Sequence, residues 1–417
     1  MRGIFGALAA PGRKDALTLD QLPGFLLGAE SATGVSVTWS TALQVSAMFA
    51  CARVVGEGIA QSRARLMRPR ANGKGADVAS DHGLHRLLFL EPSRGMTAFA
   101  LWETIVLHTM FVGNAYVFIN RLSSGRIYEL IVLEPGRVKV TQHADLSLSY
   151  EVAGSDGGLR RLPAEAIWHV RGPSWNGWMG LESVRIAREA LGLSIALEAS
   201  HARMHKAGVQ PAGLYSVEAE LTETQYAQLA KWLKKFAAGG EYAGQAMILD
   251  RGAKWLSQQM SGVDAEHLET RRFQIEEVCR FGRVMPIMVG LAEKTATYAS
   301  AEQMFLAHEV HTLSPWAGRL EQSAEVSLLS EAEKAQGLTI RFNLSAMRRG
   351  DYKGRQEGLQ IQRRNGIISA NEWREMEDYN PREDAGGDQY IVEANMALQD
   401  GRDLPVQKTP QTKDATS

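Results

Sequence analysis

The sequence predicts an α+β fold in which a block of short strands and early helices is followed by a series of long helices. Three observations predict it. Runs rich in β-branched and aromatic residues recur between turn signals from residue 113 to residue 170. Two helical stretches, 182–206 and 264–284, bracket an insertion at 209–262 with strand and helix patterns of its own. A third long helical stretch, 300–331, starts after a loop of Gly, Ala and Thr. Composition agrees: 417 residues, 45% apolar and 22% charged, are ordinary for globular units.

The elements follow in chain order. Residues 1–40 are rich in Gly, Ala, Ser and Thr without sustained periodicity and read as an N-terminal arm or loosely held segment. Thr41 and Gln44 give a capping-box pattern, and Leu43, Val45, Met48, Phe49, Val54 and Ile59 follow near helical spacing. That predicts a helix over 41–60. A loop at 92–96 precedes a helix over 97–110 anchored by Trp102, Ile105 and Leu107. Strands are predicted at 113–121 and 127–133, joined by Ser123-Ser124-Gly125, and then at 138–141, 147–152 and 167–170. These elements make residues 41–175 one α+β unit.

After the loop Trp175-Asn176-Gly177-Trp178-Met179-Gly180, the helix over 182–206 ends at Gly208 and Pro211. The insertion 209–262 reads as a strand at 212–217, a helix at 222–238, and a hairpin of 245–250 with 254–258 about Arg251-Gly252. Pro286 stops the helix over 264–284. Pro315 kinks the helix over 300–331, because proline lacks the N–H of a helical turn and crowds the carbonyl four residues back. A strand at 338–342 and helices at 351–365 and 370–378 come next. The polar tail from 396 to 417 is expected to be disordered.

Charge, cysteine and motif content narrow the function classes. The chain holds 46 basic and 47 acidic residues, a formal net charge of -1, which argues against a simple high-affinity grip on phosphates. Its two cysteines, Cys51 and Cys279, make a disulfide framework improbable and fit a reducing compartment. No stretch is long and apolar enough for a secretory h-region or a transmembrane helix. The phosphate loop G-x-x-x-x-G-K-[ST], the G-x-S-x-G elbow and the G-x-G-x-x-G fingerprint are absent. His201 with His205, and His308 with His311, have helical spacing for a metal. Neither pair reads H-E-x-x-H, and no carboxylate or cysteine completes a site at recognisable spacing. No catalytic, metal or cofactor site is therefore expected.

A set of collinear motifs points further. Gly113-Asn114-Ala115-Tyr116-Val117, then Gly125 to Leu130, then Leu133-Glu134-Pro135-Gly136-Arg137-Val138 resemble the wing-domain signature of the phage portal protein family. Ile167-Trp168-His169-Val170 and Gly180-Leu181-Glu182-Ser183 continue the resemblance. Here the chain departs from the family's Gly-x-Ser-Pro, with an extra Glu and with Val184 in place of proline. Phe281-Gly282-Arg283-Val284-Met285-Pro286, Thr297-Tyr298-Ala299-Ser300-Ala301-Glu302-Gln303, Thr312-Leu313-Ser314-Pro315 and Gly366 to Arg374 are similar to the family's later segments. The order of the motifs over about residues 40–390 carries more than any one of them.

The resemblance implies a portal-type fold and a segment plan. Residues 41–175 would be the wing, 176–208 and 263–285 two stem helices, and 209–262 the clip. Residues 286–342 would hold the tunnel loop, the long helix and a return to the wing, and 343–395 the crown. The resemblance also implies a closed dodecameric ring at one capsid vertex of a tailed phage or gene transfer agent, passing double-stranded DNA in packaging and ejection. Implied partners are the terminase large subunit, an adaptor or head-completion protein, and the major capsid protein, with no membrane. The implied location is the virion, and the host cytoplasm during assembly.

Candidate residues follow from this plan. The loop Ala292-Glu293-Lys294-Thr295-Ala296-Thr297 has small side chains with one Lys and one Glu, so Lys294 fits transient phosphate contact beside Glu293, Thr295 and Thr297. A near-neutral lumen suits a conduit, since each neutralised phosphate strengthens binding. Lys231, Lys234 and Lys235 lie beside Trp232 and Phe236 on the insertion helix and fit either an acidic partner or a solvated face. Arg271, Arg272, Glu276 and Arg280 on the second long helix fit pairs within the helix, bridges between subunits, or a solvated face. The rival readings are a ring-forming adaptor and a metal-dependent enzyme of unfamiliar family.

Overall fold

Short antiparallel strands and long helices alternate as the periodicities dictate, and the differences from expectation have local causes. The structure, a computed structural model, describes residues 29–70, 75–154, 156–207, 214–216, 222–236, 254–256, 263–291, 298–344, 352–377, 379–384 and 386–391. The chain divides into two compact units, Met1–Leu344 and Ser345–Ser417.

In the first unit, β1 (Ala29–Glu30) and β2 (Ser36–Val37) form a small hairpin. Then come α1 (Trp39–Gln44) and α2 (Ser46–Gln61). The single helix expected over 41–60 is thus two. Val45 between them is extended, with φ -74° and ψ 103°. The capping box also sits three residues earlier than expected. Thr38, still extended after β2, accepts from the Thr41 N–H and donates its own N–H to the Thr41 hydroxyl at 2.8 Å. α2 buries Met48, Cys51, Ala52, Val55 and Ile59.

The stretch with no predicted element supplies β3 (Ala64–Pro69), β4 (Ala76–Val78) and α3 (Gly83–Phe89). Its strands are short, and Arg65 and Arg68 interrupt β3, so periodicity alone gives little signal. α4 (Ala98–Val112) starts at the Thr97 cap and ends at Gly113, whose φ of 82° is left-handed. β5 (Asn114–Arg121) and β6 (Ile127–Leu133) pair as expected. β7 (Val138–Gln142), β8 (Leu148–Ala153), β9 (Leu159–Pro163) and β10 (Ile167–Arg171) follow. β9 was not anticipated, because Arg160 and Arg161 break its apolar alternation.

Two sheets result, ordered β10–β5–β6 and β7–β8–β9. Tyr116, Val138, Tyr150 and Ile167 form a buried cluster with Phe118, Leu133 and Val140 packed against it.

The helix expected over 182–206 begins as α5 (Ser183–Ile186) and resumes as α6 (Arg188–Ala207), with Ala187 between them outside helical geometry. In the insertion, β11 (Leu214–Ser216) pairs antiparallel with β12 (Lys254–Leu256), and α7 (Glu223–Phe236) lies between them in sequence. The expected hairpin partner, 245–250, falls outside the described residues. α8 (Val263–Gly282) follows and packs against α6 and α2.

After α8 come α9 (Tyr298–His308), a π turn at Glu309–Leu313, and α10 (Ser314–Leu328). Pro315, expected to kink this stretch, lies in the first turn of α10 directly after the π turn, where a missing N–H is tolerated. α11 (Glu331–Ala335) leads to β13 (Thr339–Phe342), which returns to pair with β3 in a third sheet ordered β13–β3–β4.

An aromatic core ties these parts together. Trp102 of α4 meets Trp168 of β10 edge-on at 5.6 Å and Phe342 of β13 at 4.8 Å. Both indole N–H groups are used: Trp102 donates to the Leu88 carbonyl at 3.1 Å, and Trp168 to Ser323 Oγ at 2.9 Å.

The second unit contains α12 (Tyr352–Arg364), which starts one residue after the expected 351, and α13 (Ala370–Met376), which starts at the expected residue. Ser369 and Glu372 form a capping box at the start of α13. Arg355 pairs with Glu377, and Trp373 Nε1 donates to Gln356 Oε1 at 3.3 Å. The tail 396–417 lies outside the described residues.

Candidate functional site

The candidate site is the side-by-side pair α6 and α8 with the surfaces around it. On α8, Gln274, Val278, Cys279 and Gly282 recur at helical spacing and are buried. Gly282 matters for the close approach to α2, since a Cβ there would lie 3.2 Å from that of Cys51. Cys51 and Cys279, 228 positions apart, meet at an Sγ–Sγ distance of 3.8 Å and are both free and buried. The hydrogen bond with the Cys279 thiol, and then burial, push the Cys51 pKa upward.

Val184 of α5 and Leu191 of α6 are buried, while Leu193, Ile195 and Leu197 of α6 remain half-exposed. The β1–β2 hairpin clasps this helix. Ala32 N–H donates to Glu189 Oε2 at 2.8 Å, and Thr33 Oγ1 donates to the Gly192 carbonyl at 3.3 Å. Residues 29–37 of the expected loose arm are therefore held. A side chain at position 192 would strike Ser31.

Where α8 ends, Arg283 turns the chain with φ 54°, and Thr312 of the π turn donates to the Arg283 carbonyl at 2.6 Å. This junction borders a cavity of about 180 Å³ with mostly apolar walls, among them Met110, Leu181, Ile186, Phe281 and Trp316. Arg319 also lines it. Its guanidinium lies 5.7 Å from the Trp316 ring and donates to the Arg171 carbonyl at 3.3 Å, and burial works against its charge.

Beside the cavity, two of the sequence motifs meet. Asn114 Oδ1 accepts from the Gly180 N–H at 2.8 Å and lies 3.0 Å from His169 Nε2, and Asn114 Nδ2 donates to the Gly180 carbonyl at 3.2 Å. Tyr150 OH lies 3.2 Å from His169 Nδ1. An amide oxygen only accepts, so His169 carries its proton on Nε2 and accepts from Tyr150 on Nδ1. Burial holds the His169 pKa down to about 3.

The glycines around this knot are required by space. A Cβ on Gly113 would lie 1.8 Å from the Leu181 carbonyl oxygen, and one on Gly180 would lie 1.9 Å from that of Gly113. The G-N-A-Y and M-G-L segments are thus two halves of one backbone junction.

A sequence profile of the phage portal protein family matches residues 46–378. The chain belongs to the phage portal protein family. It is 29% identical over 382 residues to the probable portal protein of Streptomyces phage phiC31, covering 89% of this chain and 82% of that one. To the portal protein of Enterobacteria phage HK97 it is 27% identical over 354 residues, covering 84% and 82%. Its fold is similar to that of a chain in the neck of a native gene transfer agent particle solved with C12 symmetry. The TM-score is 0.53 at 19% identity, covering 91% of this chain and 99% of the other.

The residues singled out in this portal-family chain can be located in part. Arg271, Arg272, Glu276 and Arg280 are all exposed, and Arg272, Glu276 and Arg280 form a stripe four residues apart along α8. Arg280 pairs with Glu277 within the helix. On α7, Lys231 and Lys235 are exposed, and the Lys234 side chain lies outside the described residues. So do Glu293, Lys294, Thr295 and Thr297. Of the histidine pairs, His308 is buried and His311 exposed, and His205 lies outside the described side chains. Among the described residues, no group of three metal-ligating side chains comes together, and no helix is long and apolar enough to cross a membrane.

The sequence motifs flagged Asn114 and His169 only as parts of a signature. Their polar character inside apolar runs was the available sign that they bond to each other. The Arg319 cavity had no comparable sign.

Proposed function

We propose that twelve copies of this chain close into a ring, and that double-stranded DNA passes through the ring as it enters and leaves a particle head. The observation that carries the reading is the packing of α6 against α8 in a portal-family chain. The C12 symmetry of the structurally similar gene transfer agent neck supports twelve copies. In this reading α6 and α8 are the stem, 41–175 the wing, 209–262 the clip and 343–395 the crown.

Lys294, flanked by Glu293, Thr295 and Thr297, touches phosphates in passing. The formal net charge of -1 keeps the wall from holding them. Lys231, Lys234 and Lys235 face the terminase large subunit during packaging and a head-completion protein afterwards. Arg271, Arg272, Glu276 and Arg280 meet neighbouring stems. The ring sits in the capsid among major capsid protein subunits, after assembly in the host cytoplasm. It has no catalysis of its own, so the motor that moves DNA is a separate chain.

Mass photometry of the purified protein tests the ring. Twelve copies of a 45.8 kDa chain weigh about 550 kDa. A species that stays at the single-chain mass at micromolar concentration would overturn the proposal. The variant Lys294→Ala is expected to alter packaging or DNA retention with rings intact, and loss of the rings would make the loop a structural element.

A further inference from the structure

The fold brings the chain's two cysteines together from positions 228 apart. Cys51 sits on the buried face of α2 and Cys279 on that of α8, and neither has any exposed surface. Both thiols are free, with 3.8 Å between the sulfurs. A disulfide holds its sulfurs about 2.0 Å apart, so roughly 1.8 Å of approach would join them. Gly282, one turn beyond Cys279, leaves the Cys51 sulfur its space. A Cβ there would lie 3.6 Å from that sulfur.

A thiol buried among apolar side chains is ordinarily inert, because the thiolate is the nucleophile and burial disfavours charge. The pairing lifts that bar for one member. Cys51 donates its S–H to Cys279, which holds the Cys279 pKa below the usual thiol value despite burial and pushes that of Cys51 up. Cys279 is thus the attacking sulfur and Cys51 the resolving one.

We infer that Cys51 and Cys279 form a modification site, oxidised to a disulfide within one chain by a peroxide. The Cys279 thiolate attacks one peroxide oxygen and the O–O bond breaks. A sulfenic acid forms on Cys279, and the other oxygen leaves as water after taking a proton. The Cys51 sulfur then attacks the sulfenic sulfur. The S–S bond forms as the S–O bond breaks, and the departing hydroxide leaves as water with the Cys51 proton. Two thiols and one hydrogen peroxide become one disulfide and two waters. Burial selects the oxidant. Hydrogen peroxide is near water in size, whereas a glutathione-type disulfide would have to reach a sulfur with no exposed surface.

The bond would clamp α8 to α2 and stop α8 lifting from the body of the first unit. On the ring reading, the chain is made in a reducing cytoplasm and then resides in a particle outside it, where no thiol pool reopens the bond. The timing rests on that reading, and the chemistry does not.

Assembled rings of the natural chain are treated with hydrogen peroxide in molar excess, unfolded, and labelled with a maleimide. Before treatment both cysteines should label. Afterwards neither should, the intact mass should fall by two hydrogens, and a tryptic digest should hold the Cys51 peptide linked to the Cys279 peptide. Dithiothreitol should restore both thiols. Oxidised glutathione in the same excess should leave them free, and a bond formed equally well by it would overturn the peroxide assignment. The linked chain should melt about 5 °C or more above the reduced one. An unchanged melting temperature would overturn the clamp. Two labelled thiols after peroxide, or sulfinic acid with no linked peptide, would overturn the site and leave the ring reading standing. A linked chain that never assembles would keep the site and overturn the ring.

Discussion

Two residues, Asn114 and His169, set how the first unit responds to acid and to substitution. His169 titrates near 6.5 in an unfolded chain and is held to about 3 when folded. As pH falls below 6.5 the unfolded chain takes up a proton that the folded chain refuses. Stability is therefore full above 6.5 and declines toward 3, by about 1.4 kcal/mol per pH unit for one proton. His108, held down to about 4 by burial, adds to the same trend. Urea midpoints measured from pH 7 to pH 4 should fall. In His169→Phe the fall should be shallower by about one proton's worth, and an unchanged slope would mean the ring is not sequestered in solution. At the adjoining backbone junction, Gly113→Ala demands both a left-handed φ and a Cβ inside the Leu181 carbonyl. A loss on the order of 3 kcal/mol is expected, read as a lower melting temperature.

The elements teach a related lesson at the edge of a sheet. β13 ends its sheet, and an edge strand leaves N–H groups open to another chain. Here two carboxylates of α10 cover it. Glu325 Oε1 accepts from Ile340 N at 2.9 Å, and Glu321 Oε1 accepts from Phe342 N at 2.7 Å. The Arg341 guanidinium lies 3.3 and 3.1 Å from the same two side chains. Burial works to raise the Glu321 pKa, so this carboxyl takes up a proton more readily folded than unfolded and opposes the His169 trend as pH falls. Charge-assisted hydrogen bonds contribute about 1.5–3 kcal/mol each, so Glu321→Ala with Glu325→Ala should destabilise the unit and raise its aggregation rate in light scattering.

This cover was invisible in sequence, because it links side chains to a strand that returns from far along the chain. The strands 114–121, 127–133 and 167–171 were legible because alternation and turns are local signals. Helix breaks at Val45 and Ala187 were not, since neither residue is a breaker and tertiary contacts decide both. The long helices, their order and the family motifs were readable. Which faces meet was not, because it depends on glycines such as Gly180 and Gly282 whose need appears only in contact.

At the scale of the whole molecule, the formal net charge of -1 and the proposed ring predict weak, salt-insensitive retention of DNA. Binding of duplex DNA to assembled rings should change little between 50 and 200 mM salt. A steep loss over that range would mean several phosphates are neutralised at once.

The paired thiols give access to the motion of the molecule itself. Since Cys51 and Cys279 face each other between α2 and α8, a maleimide dye added to the native chain should find nothing to label. Labelling would then run as a clock for the moments when α8 lifts away from the body. The same silence leaves the natural chain a clean background, so that a cysteine introduced anywhere on the surface would report alone.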